Sequence, residues 1–131
     1  TLKTKIMVIR DFPANTPVSY RRTWATKGRR RVAILPIGYA DGISRKLSNR
    51  GEVLIHGMRA PIVGTITMDL TMVDVTKVKG AKVGDEVVII GKSGLEEITA
   101  WEVAKKLGTI PYEVTCGISS RVPRKIISLT D

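Results

Sequence analysis

The chain has 131 residues, enough for one domain with a real hydrophobic core, and a composition of 43% hydrophobic and 26% charged residues is globular and gives no argument for disorder. Lys and Arg outnumber Asp and Glu by 22 to 12, a formal charge of +10 that favours anionic substrates, phosphorylated cofactors or polyanions, while 5% aromatic residues are too few for a single-strand stacking platform. One cysteine, Cys116, and one histidine, His56, exclude an intramolecular disulfide and a zinc framework, so no metal site is expected.

In chain order, residues 2–9 alternate with period two and read as a first strand, followed by turn chemistry around Pro13 and Pro17. Residues 18–26 resume a β-prone run in which Tyr20, Arg22 and Trp24 share one face. The apolar run 32–37 suits a strand covered on both faces, and it is expected to form an antiparallel hairpin with the run before it. Gly38 and Gly42 bracket Tyr39, Ala40 and Asp41, a loop able to present a phenol and a carboxylate. The same residues also suit an ordinary strand-ending turn in which Tyr39 packs on the core and Asp41 caps.

A helical turn over 43–47 and strands over 52–56, 59–68, 71–75 and 87–90 come next, with a sharp corner at Met68-Asp69-Leu70 and a turn at Val83-Gly84-Asp85-Glu86. Thr99 and Glu102 form a capping box that opens a helix ending at Gly108, and Pro111 opens a second short helix unless the β-branched residues there make a strand. Residues 121–127 read as a basic terminal strand. The fold class is therefore mainly β: a small β-barrel-like domain of short antiparallel strands with one or two C-terminal helices. The first residue is Thr1, and nothing near it looks like a signal peptide or membrane span; the expectation is a piece of a longer, soluble, cytoplasmic chain.

A P-loop, a dinucleotide fingerprint and a nucleophile triad are missing from this sequence, and residue chemistry alone does not reveal its function. The order of motifs is more informative. Val18-Ser19-Tyr20, Ile37-Gly38-Tyr39-Ala40-Asp41-Gly42, Ala60-Pro61-Ile62-Val63-Gly64 leading to Met68-Asp69, Val83-Gly84-Asp85-Glu86-Val87, and Tyr112-Glu113-Val114 with Cys116 and Arg121-Val122-Pro123-Arg124 together resemble the C-terminal domain of bacterial alanine racemase. The resemblance covers nearly the whole chain, 1–131.

The resemblance implies a pyridoxal phosphate cofactor held by a lysine in an N-terminal barrel that this chain lacks. It also implies a homodimer in which the barrel of one subunit and this domain of the other complete a site that interconverts L- and D-alanine for peptidoglycan. Tyr20 then matches the base for the L face. Met68 matches the residue whose backbone N–H meets the substrate carboxylate. Tyr39 and Asp69 lie at the entry, and Ser120 lies near the cofactor phosphate. Many family members carry glycine where Arg21 stands and tyrosine where Ser120 stands; a wider entrance or a weaker cofactor grip follows from the shorter side chain. The isolated domain is expected to be inactive, with no nucleic acid and no membrane among its partners. The competing reading, from charge and generic turns, is a small basic β-barrel that binds nucleic acid.

Overall fold

The computed structural model describes residues 1–18 and 24–128. The first extended run divides into β1 (Leu2–Lys5) and β2 (Val8–Phe12), which enter different sheets. The chain turns the corner at Ile6 and Met7. Ile6 exchanges backbone hydrogen bonds with Gly84 and Asp85, and Met7 N–H donates to the Ile34 carbonyl (2.9 Å), so the pairing partner changes between adjacent residues.

β2 pairs antiparallel with β5 (Arg30–Leu35), whose other edge takes β8 (Thr71–Asp74). Among the described residues, the expected hairpin between 18–26 and 32–37 is not seen: β3 (Pro17–Val18) pairs with β4 (Trp24–Ala25) as a separate ribbon, and both edges of β5 are taken by β2 and β8. The second sheet has the order β1, β9 (Glu86–Ser93), β6 (Glu52–Ile55), β7 (Met58–Pro61), and β9 extends past the sheet to pair with β10 (Glu96–Ile98). Sequence pattern missed β10, which is only three residues long and carries two glutamates. Among the described residues, the strand pairings are all antiparallel and the sheets remain open and do not close into a barrel.

Strand periodicity explains why β6 and β9 are buried on both faces. Val53, Ile55, Val87 and Ile89 point into the main core, where they meet Ala33, Leu35 and Val73 of the other sheet. Leu54 and Val88 point the other way, onto Ile98 and Val103, beneath a helix α1 (Ala100–Leu107). The Thr99 hydroxyl accepts the Glu102 N–H (3.1 Å) and Gly108, at φ 70°, ends α1 in the left-handed region. Only this half of the expected capping box is made, since the Glu102 carboxylate turns to Arg59. Pro111 opens α2 (Pro111–Cys116), which settles the helix-or-strand ambiguity there.

The expected terminal strand over 121–127 is absent; those residues are irregular, and Ile126 and Ile127 are exposed. Pro123 removes a donor, and Arg124 folds the segment back on itself by donating to the carbonyls of Ile118, Ser119 and Val122 at 2.8, 2.6 and 2.9 Å. Among the described residues, no helix is long and apolar enough to cross a membrane.

Candidate functional site

Where β5 ends, Ile37 N–H closes back on the Leu35 carbonyl (2.9 Å), and the Thr71 hydroxyl donates to the Ile37 carbonyl (2.7 Å), which fixes the direction in which the next loop leaves. Tyr39–Asp41 is a single 3-10 turn. The backbone N–H groups of Tyr39 and Ala40 donate to the carbonyls of Thr67 and Met68, both at 3.0 Å, so the loop is stitched to the corner. Gly38 is required by this approach: a Cβ there would collide with the Thr67 carbonyl oxygen and lie 2.6 Å from the Met68 carbonyl carbon and oxygen. Gly42, at φ 117°, would bring a Cβ to 2.6 Å from the Gly117 carbonyl oxygen and 2.8 Å from Ile118 Cα.

Asp41 performs the capping expected of an ordinary turn, accepting the Gly38 N–H at Oδ2 (2.9 Å), while its backbone carbonyl accepts Ser119 N–H (3.0 Å). Tyr39 does not pack on the core; 48% of it is exposed. Three segments distant in sequence, 38–42, 67–69 and 117–121, therefore form one rim. Tyr39 and Met68 line an open hollow of about 610 Å³ on it, together with Arg45, Ile66 and Thr67. Among the described residues, Met68 gives its carbonyl to Ala40 while its own N–H meets no acceptor.

Arg121 spans the two halves of the rim: Nε lies 3.3 Å from Asp41 Oδ1, and Nη2 donates to Asp69 Oδ1 at 2.8 Å. These carboxylates, Asp69 most strongly, raise its pKa above the ordinary guanidinium value. Ser120 is exposed beside it. Tyr20, with Arg21 and Arg22, lies outside the described residues. Sequence reading left Arg121 inside a motif without a role, because its partnership with Asp69 crosses 52 positions and no local pattern announces it. A second, mainly apolar cleft of about 280 Å³ is lined by residues of the larger sheet and of both helices; among its charged side chains, Glu52 and Glu102 are already paired with Lys106.

The family model for the alanine racemase C-terminal domain matches residues 1–126. The chain belongs to that family. It is 59% identical, over 93% of its length, to alanine racemase 2 of Caldanaerobacter subterraneus subsp. tengcongensis, of which it covers 31%. It is 49% identical, over 97%, to the alanine racemase of Thermodesulfovibrio yellowstonii, of which it covers 35%. Among solved structures, the Bacillus anthracis alanine racemase with bound L-Ala-P superposes with a TM-score of 0.92 at 41% identity, over 98% of this chain and 33% of that one. The Bartonella henselae alanine racemase with covalently bound pyridoxal phosphate gives 0.89 at 35% identity, over 95% and 34%. The alanine racemase C-terminal domain thus spans about a third of the length of the relatives it matches.

Proposed function

We propose that residues 1–131 are the C-terminal domain of a cytoplasmic, pyridoxal-phosphate-dependent alanine racemase that interconverts L- and D-alanine, supplying D-alanine for peptidoglycan. Family membership carries the reading, and the rim on which Tyr39 and Met68 meet supports it. The remaining two-thirds of the protein supplies the barrel and its lysine, and a homodimer brings the barrel of one subunit against the domain of the other. This chain alone is then inert.

The rim suits such a ligand as a wall and not as an anchor. Arg45 adds a cation to the hollow, the exposed Ser120 hydroxyl is a group able to donate to a phosphate, and the Met68 N–H, which meets no acceptor among the described residues, suits a carboxylate. When bound, pyridoxal phosphate supplies the electron sink that makes the α-proton removable. Tyr20 takes that proton from L-alanine; a phenol ordinarily titrates near about 10, so neighbouring cations such as Arg22 have to favour its ionised form. Two bases on opposite faces are what stereochemical inversion requires. Family membership leaves the nucleic-acid reading with net charge alone.

The test is Tyr20→Phe in the full-length enzyme, which removes one oxygen and keeps the ring. Racemisation is expected to fall about 10²- to 10⁴-fold, with α-proton exchange from L-alanine falling more than from D-alanine. Equal loss for both enantiomers, in a folded and cofactor-loaded variant, overturns Tyr20 as the stereospecific base.

A further inference from the structure

The geometry points to Arg121 as a positioning residue that sets the Met68-Asp69 corner against the Tyr39 loop, and thereby the Met68 N–H against the substrate carboxylate; this rests on the proposed racemase reading. One planar guanidinium reaches both carboxylates, Asp41 Oδ1 at 3.3 Å and Asp69 Oδ1 at 2.8 Å. The two acids differ in how they are held. Asp41 is buried, with its second oxygen committed to Gly38 N–H, whereas Asp69 is half exposed at the tip of a corner. Arg121 therefore ties an exposed corner to a buried reference point.

Its own backbone is fixed as well. The Arg121 N–H donates to Ser119 Oγ (3.3 Å), and the Arg124 guanidinium grips the carbonyls of Ile118, Ser119 and Val122 from the other side. The second arginine holds the segment from which the first one reaches. An ammonium at the same place is a point charge and holds one carboxylate well; the fork geometry that spans both is specific to arginine.

The experiment uses the full-length, cofactor-loaded protein with Arg121→Gln, Arg121→Lys, Asp69→Asn and the double variant Arg121→Gln/Asp69→Asn. Amide hydrogen exchange of segments 38–42 and 67–70 is measured beside the kinetic constants for alanine. Arg121→Gln is expected to speed exchange in both segments and to raise KM about five- to tenfold with a smaller change in kcat, the scale for losing two partly exposed ion pairs. Arg121→Lys should recover part of the loss, and the double variant should be no worse than Arg121→Gln, since both remove the same bridge. Unchanged exchange in both segments overturns the bridge itself. Faster exchange with unaltered kinetic constants overturns the positioning role through the reading it rests on, by showing that the corner does not face substrate. If Arg121→Gln fails to fold, Arg121→Lys and Asp69→Asn decide the same question.

Discussion

Two arginines in this domain gather carboxylates, and the difference between them separates holding the fold from shaping the site. Arg59, on β7, donates to both oxygens of Glu102 on α1 (2.7 and 3.0 Å), to Glu96 (3.0 Å) and the Glu97 carbonyl (2.8 Å) on β10, and reaches Glu52 on β6 (3.4 Å). Lys106 adds longer pairs to Glu52 and Glu102. Such a network joins regular elements and is redundant, so losing one contact leaves others. Arg121 joins irregular segments through two pairs and is 49% exposed, against 29% for Arg59. Where a charge cluster is redundant and fastened to strands and a helix, its loss is read in stability. A sparse one strung between loops is read in geometry.

The largest effect should come from removing the space that lets the rim close at all. Gly38→Ala places a methyl group against the 67–68 backbone, which has no flexible end to yield. We expect a loss of about 3 kcal/mol in denaturant unfolding and about 100-fold in activity of the full-length enzyme, from displacement of the corner. A variant with wild-type activity would show that the close approach is dispensable. Arg59→Met should cost about 1–2 kcal/mol by the same measurement and leave kcat and KM for alanine unchanged. A kinetic defect there would erase the distinction between the two arginines.

Smaller again is the contrast between two aspartates. Asp69→Asn should raise KM a few-fold while shifting Tm by only about 1 °C. Asp85→Asn should do the reverse, because Asp85 serves a turn: its Oδ2 accepts the Lys82 N–H (3.0 Å) and lies 2.7 Å from His56 Nε2. The Lys82 N–H and then His56 hold the Asp85 carboxyl below the usual carboxylate range, and Arg59 does the same for Glu102. Depressed folded pKa values contribute stability above the unfolded values, about 4, and that contribution fades as pH falls through the folded ones. Urea midpoints should therefore drop below about pH 4, and Asp85→Asn should flatten part of that acid limb; an unaltered limb would remove Asp85 from its cause.

Legibility in the sequence followed how local the determinants are. The apolar runs of β5, β6 and β9, the Thr99 and Gly108 caps and Pro111 at the start of α2 are each set by neighbours in sequence, and pattern finds them, although β5 spans Arg30–Leu35 against the expected 32–37 and β9 spans Glu86–Ser93 against the expected 87–90. The corner at Ile6, the pairing of β5 with β2 and the Glu102 carboxylate turning to Arg59 depend on which partner arrives from far along the chain. At the rim, glycine spacing drew attention to Tyr39 and Asp41. Arg121 carries no such local mark, and its meaning appears only when Asp41 and Asp69 are brought beside it.

β9 borders β1, β6 and β10 in one sheet. Its register with β1 runs from Lys5 opposite Glu86 to Leu2 opposite Ile90, so the first strand of this domain has no ladder to join until β9 has been made. During synthesis, β1 therefore waits as an unpaired edge while the β2, β5 and β8 sheet can already assemble. Pairing of β1 therefore depends on the emergence of β9, and ribosome-bound chains halted before it should protect the three-stranded sheet but not β1.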